Sequence, residues 1–251
     1  VSQLVVNKNP KSIIAEAFRS IRSNMQFISG KEGKKLLAVT STISGEGKTF
    51  CAINIAGIIA FSGKKVVILD LDMRKPKIHL GFGVENNIGM STLLIGQASI
   101  KDCINVSEQE GLDFITSGPI PPNPSELIIN GRLEKIIEEL KEIYDFVIID
   151  NPPIGLVSDA MEVLKKADYP IYVFKNEYSK KYFVNNVDRL MLDNGISNLS
   201  VILNSVETGR GSYGYGGYGS GYGGGYGYGG YYEDEPKEKN GLLSRLFGER
   251  R

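Results

Sequence analysis

Tryptophan is missing from this 251-residue chain, histidine occurs once, cysteine twice, and the formal charges cancel. Each shortage removes a class of function. His79 is the one histidine, so a Ser–His–Asp hydrolase would have to build its triad there, and nothing near it resembles a nucleophile elbow. It reads as a packing or surface histidine. Cys51 and Cys103 stand apart, without the spacing of a zinc or redox site, and read as reduced thiols of a cytoplasmic protein. Lys plus Arg and Asp plus Glu number 29 each, so no overall field points to a nucleic-acid partner. The longest apolar run, residues 52–61, is too short to span a bilayer. The first residues lack the ordered charged and apolar regions of a signal peptide.

What the chain has in excess is glycine and tyrosine at one end. Of 13 tyrosines, eight fall within residues 213–232: Tyr213, Tyr215, Tyr218, Tyr222, Tyr226, Tyr228, Tyr231 and Tyr232. The composition shifts abruptly after Glu207 and no core-forming pattern survives. Residues 1–207 are therefore expected to form one α/β domain and residues 208–251 a disordered Gly/Tyr-rich tail. Two readings of the tail stand side by side: a strip of phenols presented to an enzyme, or a self-associating low-complexity segment. Residues 240–251 interleave Leu242, Leu243, Leu246 and Phe247 with Arg245, Arg250 and Arg251. They read as a short basic amphipathic helix or as a plain chain end.

The upstream residues alternate between two periods. Ile13, Ala17, Ile21, Met25 and Ile28 recur at helical spacing, and Ser12 stands where an N-cap is expected, which predicts a helix over 12–28. Apolar runs at 36–41, 65–71, 112–116, 146–150, 171–174 and 199–204 predict strands, with helices over 48–62 and, capped by Ser125, 125–144. Near-continuous apolar strands alternating with helices specify a mostly parallel sheet covered on both faces, a three-layer sandwich. Ligands in such folds bind beyond the carboxyl ends of the strands. The acids ending the second and fourth runs should therefore converge on the loop after the first.

That loop reads Thr42-Ile43-Ser44-Gly45-Glu46-Gly47-Lys48-Thr49, a P-loop in which Thr42 replaces the usual glycine. Its glycines let backbone N–H groups turn toward phosphates, and the following helix adds its positive end. Lys48 should reach the β- and γ-phosphates of ATP, and the Thr49 hydroxyl should ligate Mg²⁺. Ser44, Gly45, Glu46, Gly47 and Phe50 complete the expected ATP-binding set. Asp70 and Asp72, two residues apart at a strand end, point the same way, and Asp150 fits a Walker B acid. Three carboxylates together would repel one another, which a divalent ion relieves.

Together these residues resemble the bacterial tyrosine kinases, in particular the kinases of Gram-positive capsule and exopolysaccharide systems. The resemblance covers about residues 8–232. It rests on Gly45-Glu46-Gly47-Lys48-Thr49, on Asp70-Leu71-Asp72-Met73-Arg74-Lys75-Pro76 (like a Walker A′ motif), and on Asp150-Asn151-Pro152-Pro153 (like a Walker B motif). Glu16-Ala17-Phe18-Arg19-Ser20-Ile21-Arg22, fitting an E-x-x-R-x-x-R pattern, the stretch from Pro121 to Leu127, and the tyrosine cluster complete it. Asn151 and Ser44 depart from the threonine and proline frequent in the family, without removing a ligand.

The resemblance implies an ATP- and Mg²⁺-dependent protein-tyrosine kinase. In it Asp70 is the catalytic base, Thr49, Asp72 and Asp150 organise the metal, Lys48 holds the phosphates, and Asn204 reads adenine. It further implies that Glu16, Arg19 and Arg22 pair with a neighbouring protomer in a closed ring, taken as an octamer, in which one tail enters the next active site. From spacing alone the three form a polar stripe on a helix, which could equally be a solvated face. Implied partners are a membrane adaptor of the polysaccharide co-polymerase type, which recruits the cytoplasmic chain to the inner face of the membrane, and a cognate tyrosine phosphatase. Two other readings are a MinD/ParA-type ATPase switch and a non-enzymatic scaffold. The first would carry a lysine where Ile43 stands, and the second would not need Lys48 with three acids.

Overall fold

The computed structural model describes residues 3–28, 33–129, 131–155 and 159–207. Along them run helices α1 (Val5–Lys8) and α2 (Ile13–Ile28), strand β1 (Lys35–Ser41), α3 (Lys48–Ala60), β2 (Val66–Asp70) and α4 (Ile78–Phe82). Next come α5 (Met90–Ile95), α6 (Ile100–Cys103), β3 (Asn105–Val106), β4 (Leu112–Ile115), α7 (Pro124–Ile129) and α8 (Arg132–Ile143). The domain closes with β5 (Phe146–Asp150), α9 (Asp159–Lys166), β6 (Tyr169–Lys175), α10 (Phe183–Asn194) and β7 (Ser200–Asn204).

The strands form one seven-stranded sheet in the order β3-β4-β2-β5-β1-β6-β7. Every pairing is parallel except β3 with β4. β1 and β2, buried on both faces, are unbroken apolar runs up to their polar ends, as a covered parallel sheet requires. Helices α1–α4 cover one face, with Leu37, Ile53, Ile55, Ile68 and Phe114 at its centre. Helices α5–α10 cover the other, around Leu69, Leu94, Leu140, Ile149 and Phe183. α3 is buried along almost its whole length, because α1, α2 and α4 pack on the sides that the sheet leaves free.

Ser12 caps α2 as expected: its hydroxyl accepts from Ala15 N at 3.2 Å. Three expectations need correction. The helix expected over 125–144 is two helices, because Gly131 takes φ 74° and so starts α8 afresh rather than continuing α7. Ser125 lies inside α7, which begins at Pro124, a residue suited to the first helical position because its missing N–H would be unbonded there. A further strand, β3, folds back antiparallel on β4, too short at two residues to leave a periodic signal. Coverage also fails at the edge strand β7, where Val201 and Leu203 are 53% and 56% exposed.

Candidate active site

β5 lies between β1 and β2, and the register sets Asp70 opposite Asp150, and Asp150 opposite Val39 of β1. Both acids thus end beside the loop that leaves β1. That loop is fastened to β5 beyond the sheet. Ile154 N donates to Ser41 O at 2.8 Å, Gly155 N to Thr42 O at 3.1 Å, and the Thr40 hydroxyl to Pro152 O at 2.9 Å. Thr42, in the place of a usual glycine, is accommodated by facing inward, its hydroxyl 2.8 Å from that of Tyr172.

Gly45 and Gly47 take φ 97° and 95°, a region where a side chain is strained. A Cβ on Gly47 would in addition sit 2.1 Å from Asn204 Nδ2. α3 starts at Lys48 with no side-chain cap, which leaves its first N–H groups open to an anion.

At the loop's floor the Lys48 ammonium lies 2.8 Å from Asp72 Oδ2 and 3.3 Å from Asp150 Oδ1. The Thr49 hydroxyl donates to Asp150 Oδ2 at 2.6 Å. All four side chains are buried or nearly so. Burial works against the charge on Lys48, but the Asp150 and Asp72 carboxylates prevail and hold its pKa above the ordinary value. Burial drives Asp150 upward against the pull of Lys48 and Thr49. Asp70, fully buried and near Asp150, is pushed up to about 8. One of its oxygens accepts from Asp72 N at 3.1 Å, the other from Lys77 N and Ile78 N at 3.2 and 3.1 Å. Asp70 therefore shapes the turn after β2, while Asp72 faces the open cleft. That cleft, of about 190 Å³, is lined by Ser44, Gly45, Gly47, Lys48, Thr49, Phe50, Asp72, Lys77 and Gln3.

The donor set suits Mg²⁺: hard oxygens from a threonine hydroxyl and two carboxylates. No group of three or more His, Cys, Asp or Glu among the described residues would chelate a metal unaided.

A family profile described as "AAA domain" matches residues 34–193. The chain is 39% identical over 219 residues to the putative tyrosine-protein kinase CapB of Staphylococcus aureus, covering 87% of this chain and 96% of that one. The chain belongs to the bacterial tyrosine kinases. Among solved structures, the kinase domain of the Escherichia coli tyrosine kinase Etk superposes with a TM-score of 0.77 at 33% identity, covering 87% of this chain and 85% of that one. The chimerical protein CapA2B2 gives 0.75 at 40% identity, covering 80% and 89%. The protein is thus a tyrosine-protein kinase of the capsule and exopolysaccharide group.

Not every residue singled out in the kinase's sequence faces the cleft. Glu46 is fully buried and staples the P-loop: one carboxylate oxygen accepts from Ile43 N at 2.8 Å, and the other from the Ser179 hydroxyl. Asn204 donates to Glu46 O at 3.1 Å and so touches the loop's backbone. On α2, Arg19 pairs with Glu16 at 2.8 Å and also bonds Pro10 O, while Arg22 donates to Ile58 O at 3.1 Å near the end of α3. Arg74 donates to the Ser125 hydroxyl at 2.9 Å. His79 is half-buried, and burial lowers its pKa, in keeping with a packing role. The eight clustered tyrosines and residues 240–251 lie outside the described residues.

Two contributions escaped the sequence reading. The turn between β6 and α10 leans on the P-loop through Tyr178, whose hydroxyl donates to Ser44 O at 3.0 Å, and through Ser179. The segment before α2 is tied to α3 by Asn54, which accepts from Val5 N and donates to Gln3 O, both at 2.9 Å, and so brings Gln3 to the cleft. Neither has a local signature. Both depend on residues roughly 50 or 130 positions apart meeting in space.

Proposed function

We propose that this kinase transfers the γ-phosphoryl group of ATP to the tyrosines of its own C-terminal cluster, in trans, within a ring of eight protomers. The observation that carries the reading is the Lys48 ammonium, held between Asp72 and Asp150 beside the Thr49 hydroxyl. Before nucleotide arrives, this lysine balances the acids. With Mg²⁺-ATP in the cleft, Asp72 and Asp150 would have the ion's charge to offset their own, and Lys48 would be left to the phosphates. Thr49, Asp72 and Asp150 hold that ion, and the open N–H groups at the start of α3 hold the phosphates.

A phenol has a pKa of about 10 and needs a base to attack at neutral pH. Asp70 takes that role, and the support for it is its place at the end of β2, opposite Asp150 in the sheet register. Alignment and charge neutralisation supply the rest. On α2, the Glu16, Arg19 and Arg22 stripe with the exposed Ile13 and Ile14 forms the contact between protomers. A match to a chimera named CapA2B2 supports a CapA-type membrane adaptor as activator, recruiting the chain to the inner face of the membrane. No helix among the described residues is long and apolar enough to cross a membrane. A tyrosine phosphatase reverses the reaction, and the pathway served is polysaccharide synthesis and export.

Purified protein incubated with Mg²⁺-ATP and probed for phosphotyrosine tests the reading. Signal from the wild type and silence from Lys48→Met is expected. Equal signal from both would overturn it.

A further inference from the structure

The folded domain holds five tyrosines besides the tail cluster, and they divide sharply. Tyr144, Tyr169 and Tyr172 are buried, while Tyr178 and Tyr182 are 46% and 56% exposed. Both exposed phenols lie on the turn that leans on the P-loop. The Tyr178 ring lies against Gly45, so closely that a Cβ on that glycine would be 2.9 Å from the phenol oxygen. Its hydroxyl donates to Ser44 O. The turn carries strain at its tip, since Glu177, a non-glycine residue, takes φ 57°. Cations stand beside each ring: Lys175 Nζ lies 5.2 Å from the Tyr178 centroid, and Lys180 Nζ 5.9 Å from that of Tyr182.

We infer that Tyr178 is a modification site: a second copy of the kinase phosphorylates it, and the modified residue releases the P-loop and weakens nucleotide binding. This rests on the tyrosine-kinase reading of the site. In the step, the bond from the γ-phosphorus to the oxygen bridging the β-phosphate breaks and ADP leaves. Tyr178 Oη bonds to that phosphorus, and the phenol proton passes to the carboxylate base of the modifying copy. Half-exposed, tethered by one hydrogen bond to the loop and set in a strained turn, the phenol can swing out to reach that site.

The consequence follows from donor and acceptor chemistry. A phenol can donate to the Ser44 carbonyl. A phosphate ester carrying about −1.5 to −2 charges at pH 7 has lost that proton and meets the carbonyl as one acceptor meeting another. Its charge also stands against the triphosphate and the buried Glu46 next in the loop. Lys175, already beside the ring, is placed to pair with the phosphate once it has turned outward. Loss of the Ser44 tether plus this repulsion corresponds to about tenfold weaker nucleotide binding.

The test uses the full chain with its eight tail tyrosines changed to phenylalanine, beside the wild type. Both are incubated with Mg²⁺-ATP, phosphosites are mapped by mass spectrometry, and affinity for a fluorescent ADP analogue is measured before and after phosphatase treatment. Phosphate on Tyr178, with affinity about tenfold lower until the phosphatase restores it, is expected. Carrying Tyr178→Phe in the same background should abolish the phosphatase-sensitive difference. The inference is overturned if wild-type tail peptides become phosphorylated while the Tyr178 peptide does not, if only Tyr182 is modified, or if affinity ignores the modification. The kinase reading survives in all three cases. Absence of phosphate on every tyrosine overturns both.

Discussion

Replacing Lys48 with methionine should do more than silence the enzyme: it should destabilise the nucleotide-free protein, in a way that depends on pH and Mg²⁺. At 2.8 and 3.3 Å from Asp72 and Asp150, and with an effective dielectric of about 20, the ammonium gains about 6 and 5 kcal/mol of gross attraction. Its own desolvation consumes several kcal/mol of this. Removing one member of such a buried group leaves uncompensated charge and costs about 3–5 kcal/mol. At roughly 2–4 °C per kcal/mol for a domain of this size, Tm should fall by about 10 °C in EDTA at pH 8.

The pH dependence has a defined sign. Lys48 is raised above its ordinary 10.5, so its stabilisation is fully present below that value and constant from pH 6 to 8. Asp70 and Asp150 are raised by burial, Asp70 to about 8. Unfolded carboxyls release protons that these folded ones retain, so stability declines as pH climbs from about 4 toward 8. Without Lys48 the acids climb further and the decline steepens. The gap between variant and wild type should therefore narrow at pH 6, and added Mg²⁺ should narrow it at pH 8. Thermal denaturation followed by circular dichroism reads all four conditions. Tm values within about 2 °C of each other in EDTA at pH 8, or a gap unaffected by pH, would refute the argument that Lys48 neutralises the acids.

Gly47→Ala should cost at least tenfold in nucleotide affinity by calorimetry, since alanine is strained at φ 95° and its Cβ meets Asn204. Adding Asn204→Ala should relieve only the contact, so recovery of wild-type affinity in the double variant would contradict the backbone argument. Asp70→Asn should abolish autophosphorylation while leaving Mg²⁺-dependent ADP affinity largely intact, whereas Asp72→Asn should weaken that affinity as well; if both variants behave alike, the division between base and metal ligand is wrong. Phe114→Ala should lower stability by about 3–5 kcal/mol in urea unfolding, because the ring is buried and stacked on Phe82 with centroids 4.1 Å apart; a loss under 1 kcal/mol would mean that the core collapses around the gap.

Much of the candidate site's layout was legible because each of its parts is local. A glycine turn between an apolar run and a helix, and acids ending two other runs, are patterns within a few residues. The rule that ligands gather at the carboxyl ends of parallel strands then joined them correctly. The break at Gly131 had a signal in the Asn130-Gly131 pair, but helical periodicity on both sides outweighed it. β3 had no such signal, being an edge pair that β4 alone stabilises.

By itself, then, the sequence determined the class of fold, the P-loop motif and the family, because propensity, periodicity and short motifs are properties of neighbouring residues. Only the tertiary structure decided how the acids divide. Backbone N–H groups of the turn after β2 occupy both oxygens of Asp70, leaving Asp72 to the cleft. It also decided that Glu46 staples the loop instead of facing ligand, and that Tyr178 rests on Ser44, 134 positions away. Those outcomes depend on which surfaces meet when the two helical layers close on the sheet, and burial, charge and hydrogen-bond partners at those meetings exist only once the chain is folded.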